Sequence, residues 1–76
     1  MVIKLIALDG DYTSDMIFDV QATDKEIEDI VAEWQEKCVG ALTTCHMLYL
    51  FEELCFEKGI PYNYIPDVER TFKAYA

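Results

Sequence analysis

One run, from about Ala41 to Lys58, limits what this chain can fold into more than any other. It holds Leu42, Cys45, Met47, Leu48, Tyr49, Leu50, Phe51, Leu54, Cys55 and Phe56. Gly59, apolar Ile60 and Pro61 follow it, which is the pattern of a Schellman stop to a helix. At about 100° per residue the apolar positions cover most of the helix circumference. The polar remainder is a strip of Thr43, His46, Glu53 and Glu57, with Glu52 alone on the other side. A surface helix needs one apolar stripe, whereas this one asks for cover nearly all round. Burying one large apolar side chain is worth roughly 1.5–3 kcal/mol, so three left in water forgo about 5–9 kcal/mol, which rivals the net stability of a domain.

The chain has only 76 residues with which to supply that cover, enough for a single domain. A domain this small buries about 60–65% of its unfolded surface, so it needs an efficient core or a partner. Val2–Leu8 is β-rich and apolar on both faces, as a central strand would be. Asp9-Gly10 is a turn dipeptide, extended by Asp11–Asp15 into a polar loop. In Met16–Gln21, the side chains of Met16, Phe18 and Val20 alternate with Ile17, Asp19 and Gln21, predicting the second strand of an antiparallel hairpin.

A first helix then begins at a capping box, Thr23-Asp24-Lys25-Glu26. Ile27, Ile30, Val31, Trp34 and Cys38 form its one apolar face, with Lys37 in the last turn and Gly40 to end it. The short connection to the run at Ala41 predicts antiparallel neighbours. Two prolines make Ile60–Pro66 extended, with room for a short edge strand. Asp67 then reads as the N-cap of a short C-terminal helix with Val68, Phe72 and Tyr75 on one face. The expected fold class is therefore α+β: an N-terminal antiparallel hairpin packed on two antiparallel helices, an extended segment and a C-terminal helix. On this reading the hairpin, the first helix and the C-terminal helix share the work of covering the apolar run.

Charge narrows the partners. Fifteen acids against six bases give a formal net charge of −9, which repels nucleic acid and anionic membrane surfaces and attracts a basic protein surface. At 53% hydrophobic the chain is too apolar for a disordered acidic tail. No apolar run approaches the roughly 18 residues of a membrane span. Lys4 interrupts the first strand and no small-residue cleavage site follows it, so a cytosolic protein is expected. In a reducing compartment Cys38, Cys45 and Cys55 are expected as free, buried thiols.

Catalytic and metal motifs are sparse. Asp9-Gly10-Asp11-Tyr12-Thr13, after an apolar strand, resembles the D-x-D-x-T motif of haloacid dehalogenase-like phosphatases. The resemblance implies Asp9 as nucleophile and Asp11 as general acid/base beside Mg²⁺. It covers about ten residues, leaves no room for that family's doubly wound domain, and is a string that turn preference alone produces. Read as an EF-hand, the same loop has Ser14 where glycine is needed and Val20 where the last ligand should be. Cys38, Cys45, His46 and Cys55 lack the close pairs of a zinc site. No metal, cofactor or catalytic residue is expected.

The patterned surface feature is a ridge of Glu26, Asp29, Glu33 and Glu36 along the first helix. It suits docking to Lys and Arg of a partner, as a mimic of nucleic-acid charge. A second candidate interface is apolar: Tyr49, Phe56, Tyr62, Tyr64 and Tyr75. In size, acidity and lack of catalytic motif the chain resembles, as a class, the small phage or mobile-element proteins that inhibit host defence, such as anti-CRISPR proteins. The expectation is a stoichiometric inhibitor of a basic nucleic-acid-binding partner. The alternatives are a homo-oligomer, at its simplest a homodimer, built on the apolar helix and, more remotely, a Mg²⁺-dependent phosphate enzyme using Asp9 and Asp11.

Overall fold

The computed structural model describes residues 1–64 and 70–76. Two strands open the chain, β1 (Val2–Asp9) and β2 (Tyr12–Val20), followed by helices α1 (Asp24–Cys38) and α2 (Thr44–Lys58). Strands β3 (Tyr62–Tyr64) and β4 (Arg70–Tyr75) complete it. The strands form one mixed sheet in the order β3-β2-β1-β4, in which β1 pairs antiparallel with β2 and parallel with β4. The α+β class and the hairpin packed on two helices agree with expectation, as does the short edge strand at Tyr62.

The hairpin is longer and its turn tighter than predicted. Asp9 pairs with Tyr12, so only Gly10 and Asp11 lie between the strands. Gly10 is left-handed at φ 59°, and no non-glycine residue among those described has positive φ. Positive φ at the first central position alone is the pattern of a type II′ turn, whose twist suits a hairpin. The expected loop Asp11–Asp15 is instead mostly strand. Its polar residues fit there because Lys4 reaches Asp15 at 3.5 Å and the Ser14 hydroxyl meets that of Thr44 at 2.6 Å.

From Arg70 on, a strand stands where the C-terminal helix was expected. Asp67 and Val68, that helix's expected cap and first apolar residue, lie outside the described residues, and Arg70–Tyr75 is a strand. The spacing of Phe72 and Tyr75 suits a helix, but Arg70-Thr71-Phe72-Lys73-Ala74-Tyr75 also alternates with period two. Leu5 pairs with Phe72 and Ala7 with Ala74, placing both on the helix-covered face. A strand as apolar as β1 needs a neighbour on each side, and β2 supplies only one. Non-local pairing therefore overrides the local spacing.

α1 begins as predicted. Thr23 Oγ1 accepts from the Glu26 amide at 3.2 Å and Glu26 Oε1 accepts from the Thr23 amide at 3.0 Å. Its buried residues are Ile27, Ile30, Val31, Trp34 and Cys38. α2 starts at Thr44 rather than Ala41, because Thr43 takes the N-cap and accepts from the His46 amide at 3.0 Å. Leu42 is thereby outside the helix and 88% exposed. At the far end Gly59 is left-handed, and the Ile60 amide donates to Cys55 O at 2.9 Å, as a Schellman stop requires. Toward the end of α1, Trp34 Nε1 and Cys38 Sγ donate to Met47 O near the start of α2, at 2.6 and 3.9 Å, whereas Lys58 at the end of α2 borders a pocket with Glu26, Asp29 and Ile30 from the first half of α1, so the helices run antiparallel.

Both helices lie on one face of the sheet, α2 over β1 and β2, α1 over β4. Ile3, Leu5, Ala7, Phe18 and Val20 point into the core beneath them. Phe51 links the two layers, with Phe18 at 5.4 Å and Trp34 at 6.1 Å between ring centres.

Candidate functional site

α2 hides one face only: Thr44, Met47, Leu48, Phe51, Leu54 and Cys55. The near-complete cover predicted for it does not exist. Its third component was to be the C-terminal helix, and that segment is instead β4, at the sheet edge beyond β1 and beneath α1. The consequence is an open aromatic face. Phe56 is 86% exposed and Tyr49 53%, one above the other at i and i+7.

Edge strand β3 forms the other wall of this face. Phe18 pairs with Tyr64 and Val20 with Tyr62, so both tyrosines share the helix-covered side of the sheet. Their rings pack on Phe18 at 5.2 and 5.5 Å, which anchors them to the core. Both phenols donate to Glu52 Oε1, Tyr62 at 3.1 Å and Tyr64 through a short contact. The Tyr64 phenol is pushed up to about 12 by its bond to Glu52 and by partial burial. Partial burial raises Tyr62 as well, with the Glu52 bond adding to it. Both therefore stay protonated donors across the physiological range, holding the carboxylate between helix and strand.

The open groove so formed has a volume of about 660 Å³ and is lined by Tyr49, Glu52, Glu53, Phe56, Glu57 and Tyr62. Glu52, Glu53 and Glu57 form no salt bridge among the described residues. Of the predicted apolar interface, Tyr49, Phe56, Tyr62 and Tyr64 come together here. Tyr75 does not: it lies on β4, exposed, with its side chain on the opposite face of the sheet from Phe72 and Ala74. Sequence reasoning missed the three glutamates. The signal for Glu52 was its isolation on an otherwise apolar side of the helix, which calls for polar partners.

The acidic ridge of α1 is exposed, but two of its members are engaged. Glu26 closes the capping box, and its hydrogen bonds with Thr23 hold its carboxyl below the ordinary value. Glu33 pairs with Lys58. Asp29 and Glu36 remain without a salt bridge among the described residues.

The remaining candidates are dispersed. Asp9 ends β1 and Asp11 is the second turn residue. Thr13 and Asp15 point to the sheet face opposite Ser14. Among the described residues no group of three His, Cys, Asp or Glu side chains is placed to hold a metal. Cys38 and Cys55 are buried, which raises both thiols to about 11, Glu52 adding to the effect at Cys55. Cys45 is exposed, against expectation, because the face of α2 that carries it is uncovered. No helix among the described residues is long and apolar enough to cross a membrane. Comparison of the chain with protein-family models, with curated proteins and with solved structures gives no match.

Proposed function

We propose that this chain is a small acidic protein-binding module whose α2–β3 face docks on a basic surface of a partner, and that the surface it covers is one that otherwise binds nucleic acid. The observation that carries the reading is the joint exposure of Tyr49 and Phe56 beside carboxylates that have no basic partner among the described residues. Aromatic side chains with a charged rim are the usual anatomy of a protein interface. The formal charge of −9 steers the encounter toward a basic partner. Occluding such a surface is the mode of action of small anti-defence inhibitors from phages and mobile elements, such as anti-CRISPR proteins. The reading is of binding in the cytosol, without cofactor, metal or catalytic step.

A homodimer through the same face is the competing use. A two-fold pairing sets the same patch against itself, and Glu52, Glu53 and Glu57 of each copy then meet those of the other. Like charges brought together in this way oppose association.

The test is affinity capture from the native host with the unaltered chain and with a Tyr49→Ala/Phe56→Ala variant, followed by nucleic-acid binding assays on the captured protein. The expected result is a basic partner held by the first and lost by the second, whose nucleic-acid binding falls stoichiometrically as the chain is added. A partner that keeps its nucleic acid while bound, or that is captured equally by both chains, overturns the proposal.

A further inference from the structure

The chain contains one arginine, and the way it is held describes what the α2–β3 face lacks. Arg70, on β4, lies over the Phe72 ring with its guanidinium carbon 4.8 Å from the ring centre. Two carboxylates of α1 close on its nitrogens, Asp24 at 3.9 Å and Glu28 at 3.7 Å. The site thus has an aromatic face for the planar cation and acids at its edges, supplied by a helix beside an edge strand.

The other edge of the sheet repeats these parts without the cation. Phe56 offers an open ring, Tyr49 and Tyr62 stand beside it, and Glu52 and Glu53 lie to either side on the helix. Glu52 is fixed in place, since Oε1 accepts from both Tyr62 and Tyr64. Among the described residues its Oε2 receives no hydrogen bond. All six bases of the chain are among the described residues, and none reaches this groove within salt-bridge distance. At about 660 Å³ it is far larger than a bare ion needs and has the volume for a side chain.

We infer that the α2–β3 groove is the seat for an arginine side chain of the partner, its guanidinium on Phe56 and its N–H groups on Glu52 and Glu53. An arginine suits it better than a lysine. The guanidinium is flat and weakly hydrated, stacks on a ring, and carries donors in a fixed fork that reaches acids on two sides. An ammonium is a compact, strongly hydrated point charge. A second copy of the chain is a poor occupant, because its single arginine is already held by Asp24, Glu28 and Phe72. This inference rests on the proposed basic-partner reading and specifies the chemistry of its docking site.

The experiment is an NMR titration of the intact chain with a short glycine–arginine peptide, and with lysine and citrulline peptides of the same length. The arginine peptide is expected to give saturable shifts centred on Tyr49, Glu52, Phe56 and Tyr62. Citrulline, of the same shape without the charge, binds roughly tenfold more weakly, and lysine falls between the two. Phe56→Ala, at a position too exposed to disturb folding, weakens the arginine peptide about fivefold. Asp29→Asn/Glu36→Gln keeps it within about twofold, as expected of distant surface changes. Equal binding of arginine and lysine peptides, shifts centred on α1, or no saturable binding overturns the seat. If a partner is nevertheless captured through Tyr49 and Phe56, the docking face stands and only its arginine specificity fails.

Discussion

α1 and α2 are both 15 residues long and lie side by side on the same sheet. Inward they are alike, each placing a compact apolar face on the core. Outward they differ. α1 turns charge to solvent and uses it internally: Asp24 and Glu28 hold Arg70, Glu26 caps the helix, and Glu33 holds Lys58. α2 turns Tyr49 and Phe56 outward and leaves Glu53 and Glu57 without a base. On α1 only Asp29 and Glu36 of the ridge are left without a base among the described residues, and no large ring stands beside them. A helix that exposes rings and unpaired acid together gains on both counts when a basic surface arrives. That asymmetry, more than the net charge, is why we place the proposed docking face on α2.

The sharpest test of the inward likeness is truncation of one core ring on each helix. Trp34→Ala and Phe51→Ala each remove a fully buried ring, and each is expected to cost about 3–5 kcal/mol in denaturant unfolding. A loss under about 1 kcal/mol at Phe51 would mean that α2 is not seated as α1 is. The caps come next. Thr23→Ala and Thr43→Ala each remove a side-chain acceptor of a helix amide, with an expected loss of about 1 kcal/mol apiece by the same measurement. The two differ in their response to acid. Glu26 has a depressed carboxyl, so its contribution to α1 is present above the ordinary value of 4.5 and is lost as pH falls through its lower folded value. Thr43 has no such partner, so only α1 should show an acid-dependent cap, one that Glu26→Gln removes.

Outward, the comparison predicts near-silence in stability. Phe56→Ala and Asp29→Asn should each shift the unfolding free energy by no more than about 0.5 kcal/mol, as exposed positions do. The two should part only in partner binding. A loss at Phe56 approaching that at Phe51 would show its ring to be covered and would remove the docking face.

The sequence disclosed these features unevenly, for physical reasons. The capping box at Thr23, the apolar face of α1 and the stop at Gly59 were legible because each depends on residues within one or two turns. The β4 strand was not, because Arg70–Tyr75 satisfies a helical and an alternating pattern at once, and the choice falls to pairing with β1, far away in the chain. The exposed α2–β3 face was half legible. The apolar surplus of Ala41–Lys58 pointed to Tyr49 and Phe56, but it also implied full cover, which failed once the C-terminal segment went to the opposite sheet edge. Glu52 could be given its place only when β3 was, since its partners Tyr62 and Tyr64 reach it through the sheet.

That carboxylate allows the smallest and most local test of the comparison. The phenol of Tyr64 is pushed up to about 12, chiefly because it donates to Glu52. An acid whose folded value is raised contributes stability that is whole below its unfolded value, near 10 for tyrosine, and fades as pH climbs through the folded one. Ultraviolet titration of the folded chain should therefore show phenolate still forming toward pH 12, and Glu52→Gln should move that component down toward the ordinary range. Asp29→Asn on α1 should leave it in place. A titration unchanged by Glu52→Gln would separate the tyrosines from the carboxylate, and with them β3 from α2. The groove would then lose one of its two walls, and α2 would keep only its exposed rings and the unpaired Glu53 and Glu57 to set its outward face apart from that of α1.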